Sequence, residues 1–353
     1  MSVSFFWLLA FLLTWRSNYA AKHVLTVFFA FSTLLYTCHW LYFSGFRSSV
    51  FETLYFIANL SVYPLFFYYI ITLSGEKIRR YLWLMAPAAV IAIALPVCFI
   101  ANLDEVRNIF SFFARICFAL QVAYVWICGS RLIRSLIKRL DDYFSDDRSE
   151  ALRKLNNLLW LFGIIAVCSG ILNFIGREVF DDSDYIAVPS LLMTILLYML
   201  GFVTVRMTNP TQGFAITEEP EFTATKPGEA KAGEDRDKMQ LSQKLDEIMK
   251  EQKLYLRPDL TINDVVHIIG SNRTYLSAAI NRAYGVNFYT YINTFRIEEA
   301  KRILTQTTYL HDKQAIVDAL EKSGFTSGST FYRVFKELTG TTPLGYRRST
   351  LHK

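Results

Sequence analysis

The sequence predicts an all-α chain in two parts: a polytopic bundle of about seven membrane-crossing helices, then a charged domain of short helices. Three observations carry that prediction. The 353 residues are 52% hydrophobic and 16% aromatic but only 19% charged, too apolar for a purely soluble chain of this length. The charge is unevenly placed: residues 1–210 hold 17 Lys/Arg and 13 Asp/Glu, and the remaining 143 residues hold 20 and 18. Between the two parts, residues 208–238 collapse into Pro, Gly, Thr, Ala, Glu and Lys without an apolar period. The expected organisation is a transmembrane sensor or anchor over 1–207, a flexible linker over 208–238 and a folded tail over 239–353. This composition excludes bulk disorder and a secreted disulfide scaffold.

A membrane-spanning helix needs about 20 mostly apolar residues. Six stretches qualify, near 24–44, 50–73, 81–101, 109–129, 155–175 and 185–206. A seventh, Val3–Trp15, is shorter; no Lys or Arg precedes it, and Asn18-Tyr19-Ala20 is a poor signal-peptidase site, so it reads as a short first span. The loops then fix the orientation. Those after the first, third and fifth spans carry Arg16 and Lys22; Lys77, Arg79 and Arg80; and Arg131, Arg134, Lys138, Arg139, Arg148, Arg153 and Lys154. The alternate loops carry only Arg47, Arg107 and Arg177. Basic loops stay on the cytoplasmic side. The tail is therefore expected in the cytoplasm, on the inner side of a membrane, whether or not the first segment spans.

Polar groups within the spans are few. Arg115 lies about two turns inside the outer end of the fifth span, where it either snorkels to outer headgroups or binds a signal. His39 and Asn173 are the other candidate sensing residues; interhelical hydrogen bonding is the alternative for both. Residues 131–140 read as an amphipathic helix on the inner leaflet or as a continuation of the fifth span. The five cysteines, Cys38, Cys98, Cys117, Cys128 and Cys168, all fall in the apolar part and form no C-x-x-C pair. Neither a metal nor a cofactor is expected, and the chain is not expected to be an enzyme: no H-E-x-x-H, G-x-S-x-G, phosphate-binding or dinucleotide glycine motif is present.

Helical periodicity returns at Met239, with Leu241, Leu245 and Ile248 on one face. Thr261 with Asp264 three residues on, flanked by Leu260 and Val265, predicts a capped and stapled helix from Ile262 to about Gly270. Asn272 caps a second helix with apolar Tyr275, Leu276, Ala279, Ile280 and Ala283, stopped by Gly285. Two short helices about a Gly-containing turn form a helix-turn-helix candidate. The second helix leaves Arg273, Thr274, Ser277, Ala278, Asn281 and Arg282 outward, small or cationic and uninterrupted by acid. A helix entering a DNA major groove needs that kind of face.

After a longer helix carrying Phe288, Tyr291, Ile292, Phe295, Ile303 and Leu304, the pattern recurs. A helix around Ala315–Lys322 ends at Ser323-Gly324-Phe325, Ser327 caps the next, and Phe331, Val334, Phe335 and Leu338 point inward. Leu276 and Phe331 hold equivalent places 55 residues apart.

The tail resembles the DNA-binding domain of the AraC/XylS family of bacterial transcription regulators. The residues that carry the resemblance are Gly270–Ser277, Tyr291–Ile297 with Ala300, Ser323–Phe325, Phe331–Lys336, Gly340–Pro343 and Tyr346-Arg347. The resemblance implies two helix-turn-helix units whose recognition helices enter successive major grooves of double-stranded DNA. It places Thr274, Ser277 and Ala278 against bases in the first unit. In the second it places Ser329, Tyr332 and Arg333 against bases, with Thr330 and Lys336 toward phosphate; Arg333 either faces guanine or makes a phosphate contact or a salt bridge within the domain. Val266 and Leu320, one turn before each turn glycine, are larger than the family's usual residue, and the stretch Thr305–Lys313 is longer. Residues 254–353 hold 13 Lys/Arg and 8 Asp/Glu, a modest surplus that suits a sequence reader needing some phosphate neutralisation.

The expected function is therefore a membrane-anchored, sequence-specific regulator coupling a membrane or extracellular signal to promoter binding. Its expected partners are DNA, membrane lipids, a small-molecule or peptide signal, a second copy of the chain and RNA polymerase. The alternatives are a transporter or receptor whose tail is a protein-docking module, and a regulator released by proteolysis in the linker.

Overall fold

The structure is a computed structural model and describes residues 1–13, 20–44, 48–175, 184–206, 232–306 and 312–351. Among these residues it is all-helical, with fourteen α-helices and two 3-10 segments. The chain divides into two compact units. The first comprises Met1–Leu136 and Ala151–Ile216, the second Ile137–Glu150 and Thr217–Lys353.

The first unit is built from α1 (Ser2–Leu13), α2 (Ala20–Phe43), α3 (Ser49–Ser74), a 3-10 segment (Ile78–Met85) running into α4 (Ala86–Ile100), α5 (Asp104–Asp141), α6 (Glu150–Ile175) and α7 (Asp184–Arg206). Five described stretches are long and apolar enough to cross a membrane: Ala20–Leu41, Ser49–Ser74, Ile78–Ile100, Asp104–Asp141 and Glu150–Cys168. The first and last of the seven expected spans appear as shorter apolar helices, Ser2–Leu13 and Leu191–Val205. The helix α3 is central. In its most apolar window 78% of residues are buried, against 28–33% for the other four. Phe56 and Leu60 of α3 pack with Ala88, Ile91 and Leu95 of α4 and Ala114 of α5. The opposite faces of α4 and α5 leave Ile93, Val97, Ile109, Phe112 and Leu120 exposed, an apolar surface that hydrocarbon covers without cost.

Of the two readings for residues 131–140, continuation is the one realised. The helix α5 is unbroken over 38 residues, about 57 Å at helical rise, so it outruns a hydrocarbon core of about 30 Å. Its last residues, from Ile137, belong to the second unit.

The second unit contains α8 (Ala232–Gln252), a 3-10 turn (Leu254–Leu256), α9 (Ile262–Ile269), α10 (Arg273–Tyr284), α11 (Phe288–Leu304), α12 (Asp312–Lys322), α13 (Gly328–Thr339) and α14 (Pro343–Leu351). The helix α8 starts within the stretch expected as linker; residues 207–231 lie outside the described residues. The expected caps form. Thr261 and Asp264 make a reciprocal capping box, Asn272 accepts from the Tyr275 N–H, and Ser327 accepts from the Thr330 N–H. Each cap satisfies a donor that a helix N-terminus otherwise leaves orphaned. Gly270 ends α9 in the left-handed region at φ 73°, where a side chain would be strained.

The core of the second helix pair joins Ile297, Ala300, Ile303 and Leu304 of α11 to Ala315 and Ala319 of α12, Phe325 of the turn, and Phe331, Val334 and Phe335 of α13. The helix α8 is tied on by Asp246, which accepts from the hydroxyls of Tyr284 (2.7 Å) and Tyr291 (2.6 Å). Burial and that carboxylate push Tyr284 up to about 12 and raise Tyr291 as well.

Candidate nucleic-acid interface

The pairs α9–α10 and α12–α13 each present their second helix with one face buried and one open. In α10, Leu276, Ala279 and Ile280 are buried, while Thr274, Ala278, Asn281 and Arg282 are exposed and Arg273 and Ser277 are half-buried. In α13, Phe331, Val334 and Phe335 are buried, and Ser329, Tyr332, Arg333 and Lys336 are exposed. Nine of the ten residues expected to meet DNA thus remain at least partly accessible.

Thr330 is the exception. It is buried at 7% exposure, and the expected phosphate-facing role is corrected accordingly. It follows Ser329 by one position, a rotation of about 100°, and that turns it beside Phe331 toward the core. Its contribution is the N–H bonded to Ser327.

Residues 137–150, which run from the end of α5 through its connection to the first residue of α6, form part of this unit. Phe144 pairs with Thr261 in an isolated antiparallel bridge. The Ser145 N–H donates to the Leu260 carbonyl (3.1 Å), and the Ile262 N–H donates to the Tyr143 carbonyl (2.9 Å). Asn263 donates to the Tyr143 hydroxyl at 3.1 Å. Tyr143, Phe144 and Ser145 are all buried.

The lynchpin is Arg296 of α11, only 2% exposed. Its guanidinium donates to the carbonyls of Tyr255 (2.7 Å), Ser145 (2.8 Å) and Arg257 (2.7 Å) and to the Ser145 hydroxyl (3.0 Å). Burial lowers its pKa to about 10, so it stays cationic at neutral pH. A buried charge is tolerated when it is well hydrogen-bonded, and here the planar fork ties two backbone segments, Ser145 and Tyr255–Arg257, to α11. Arg347 of α14 acts similarly, donating to the Leu304 carbonyl (2.6 Å), the Gln306 carbonyl (3.1 Å) and Asp312 (3.0 Å). It caps the C-terminus of α11 where helix carbonyls lack partners.

Arg333 is less open than its sequence position implies. One terminal nitrogen donates to both Asp147 and the Tyr289 hydroxyl (2.9 Å), and the other to Glu337 (3.2 Å). The Asp147 side chain is 3% exposed and that of Arg333 39%. Burial lowers the arginine's pKa, but Tyr289 and Asp147 more than offset this and raise it above its ordinary value. On the first pair, the Arg273 guanidinium lies 5.9 Å from the centre of the Tyr143 ring.

The three candidate sensing residues occupy separate settings in the first unit. Arg115 is exposed on α5. His39 is half-buried, its ring 5.0 Å from that of Tyr55. Asn173 is in α6, with its side chain outside the described residues. A shallow cleft in this unit is lined by Phe67, Tyr81, Tyr124, Cys128, Arg131 and Leu132, none of them a candidate sensing residue. Among the described residues no group of His, Cys, Asp and Glu is placed to hold a metal ion.

Residues 253–349 match the family described as "Helix-turn-helix domain". An uncharacterised HTH-type transcriptional regulator of Staphylococcus aureus (strain COL) is 33% identical over 104 residues, 30% of this chain and 13% of that protein. The uncharacterised HTH-type transcriptional regulator YtdP of Bacillus subtilis (strain 168) is 31% identical over 90 residues, 26% of this chain and 11% of that protein. The matched stretch is therefore a small part of these relatives' length. Among solved structures, the C-terminal domain of AraT, a response regulator from Geobacillus stearothermophilus, is 26% identical. It aligns over 31% of this chain and 84% of its own with a TM-score of 0.26.

Proposed function

We propose that this protein is a membrane-anchored transcription regulator of the bacterial inner membrane. Its tail faces the cytoplasm and reads promoter DNA through two helix-turn-helix units, α9–α10 and α12–α13. The supporting observation is the paired exposure of α10 and α13 within a domain that matches DNA-binding regulators. Each helix buries an apolar stripe and turns a polar face outward, small or cationic in α10 and carrying Ser329, Tyr332, Arg333 and Lys336 in α13, as groove insertion requires. Thr274, Ser277 and Ala278 face bases in the first unit; Ser329, Tyr332 and Arg333 do so in the second. Arg273, Asn281 and Lys336 reach phosphates or neighbouring bases.

The apolar part supplies the anchor, with seven spans and the basic loops inside. It responds to a membrane-borne or extracellular small molecule or peptide, with Arg115, His39 and Asn173 as the polar groups to probe first. Coupling requires that the signal bind one arrangement of the chain better than another. Pairing of two copies on adjacent half-sites and contact with RNA polymerase complete the reading.

The test is retention of DNA. The purified full chain in detergent is mixed with sheared genomic DNA from the source cell, and what it holds is sequenced. A few enriched loci, weakened or broadened by Arg333→Ala by about 1–3 kcal/mol at one position, is the expected result. Retention no better than that of a chain truncated at residue 206 overturns the proposal.

A further inference from the structure

We infer that residues 141–150 are an inhibitory strap, holding the second recognition helix through an Asp147–Arg333 latch that DNA must displace. The inference rests on the DNA-reading proposal and adds its regulation.

The chemistry of the strap is anionic. In the ten residues 141–150, Asp141, Asp142, Asp146, Asp147 and Glu150 stand against the single base Arg148. The strap is held firmly, by the Phe144–Thr261 bridge and the buried Arg296 clamp on Ser145. It also reaches a cation of each recognition helix. Tyr143 lies beneath Arg273 at the start of α10, and Asp147 pairs with Arg333 on α13.

The Asp147 contact is constructed rather than incidental. Its carboxylate is almost fully buried and is steadied by Ser149, whose hydroxyl donates to Asp147 at 3.3 Å and to Asp141 at 2.6 Å. Arg333 reads guanine only by aiming two N–H groups at the O6 and N7 acceptors. Here both terminal nitrogens are committed, one to Asp147 and Tyr289 and the other to Glu337. The arrangement is thus the closed one: reading a base means releasing Asp147, and the strap's carboxylates repel approaching phosphates meanwhile.

The strap's ends supply the trigger. It leaves the last turn of α5 and enters the first turn of α6, so the two helices that would carry a signal across the bilayer pull on it directly. A rotation or separation of their inner ends moves Asp147 away from Arg333, and no transmission through the 207–231 linker is needed.

The experiment measures retention of sheared genomic duplex DNA by the full chain in lipid nanodiscs at fixed salt. Wild type is compared with Asp147→Asn, Asp146→Asn, Arg333→Ala and the Asp147→Asn/Arg333→Ala pair. Releasing the latch should tighten binding about tenfold in Asp147→Asn, at the lower end of couplings between close interfacial charges. Asp146→Asn makes the same charge change on a side chain bonded to Arg148 and should shift binding less than about twofold. With Arg333 already removed, Asp147→Asn should do nothing. Hydrogen exchange at residues 146–150 of the wild type should rise when DNA is added. If wild type binds and Asp147→Asn is unchanged or weaker, the latch is refuted and the DNA reading stands. If neither wild type nor any variant retains DNA, both are refuted.

Discussion

Replacing Arg296 by methionine tests the architecture of the C-terminal unit most directly. Methionine roughly fills the volume but offers no donor, so five hydrogen bonds disappear. Their partners do not suffer equally. Arg257 is an exposed residue whose carbonyl can turn to water, whereas Tyr255 is 7% exposed and Ser145 is fully buried. Two carbonyls therefore lose their partner in a place that water does not reach, at about 1–3 kcal/mol each. Relief from burying a guanidinium offsets part of that loss, and about 3 kcal/mol remains. At 1.4 kcal/mol per tenfold, this is roughly a hundredfold faster exchange of the amides whose opening breaks the clamp. Hydrogen exchange on the full chain reads it at Ser145, Ile262 and the middle of α11, with buried α3 as an internal reference. Arg296→Lys, which keeps the charge but not the fork, should fall between. Less than a threefold change at Ser145 in Arg296→Met would show that the strap is held by something other than this arginine.

Two glycines should respond differently to alanine. At Gly270 (φ 73°) no atom lies within 4 Å of an added Cβ, so Gly270→Ala should cost only the left-handed strain, about 1 kcal/mol. At Gly324 (φ 88°) a Cβ would sit 2.8 Å from the Leu256 carbonyl oxygen, so Gly324→Ala should cost at least twice as much in denaturant unfolding of the tail. Asp246→Ala removes the acceptor of two tyrosine hydroxyls, one on the buried Tyr291, and should lower stability by about 2 kcal/mol with a shift in near-ultraviolet tyrosine signal. The carboxyls of Asp312 and Glu299 lie below their ordinary values of 3.8 and 4.5, held there by hydrogen bonds from Arg347 and Arg348 and from Arg302. Carboxyls depressed in the folded state contribute stability that is complete above the unfolded values and lost as pH falls through the folded ones. Unfolding midpoints of the tail should therefore drop only below about pH 4.5, and Asp312→Asn should flatten that drop.

The local parts of this fold were legible because local chemistry decides them. Thr261 with Asp264, Asn272 and Ser327 each bond an N–H within three residues, so spacing alone locates the helix starts. The apolar stripes of α10, α11 and α13 follow the 3.6-residue period for the same reason, except that Leu338, expected inward, is exposed near the end of α13. The start of α8 was not legible: Glu234, Asp235, Arg236 and Asp237 carry no apolar period, and the buried positions that mark the helix, Ser242, Leu245 and Met249, come later. Arg296 left a faint signal, since it shares the stripe of Ile292, Ala300 and Ile303, and a charge on such a stripe asks for buried partners. Those partners could not be found from sequence, because Ser145 lies 151 residues away. Arg333 and Thr330 mark the same limit. The period gives the face of α13, but the Asp147 carboxylate that takes hold of Arg333 is set by long-range pairing, and one position of rotation put Thr330 inside.

The order of these segments along the chain governs how the domain is made. Residues 143–145 leave the ribosome more than a hundred residues before the helices they join, and α6 and α7 are made in between. The C-terminal unit therefore reaches its final form only after the whole apolar part has been synthesised. For the same reason it is not a free cassette. A fragment cut anywhere in residues 207–231 leaves its Ser145 behind, exposes the Arg296 slot to water and parts Arg333 from Asp147. Proteolytic release and expression of the tail alone would both deliver a domain less stable than the one the intact chain carries, with Arg333 lacking its Asp147 partner.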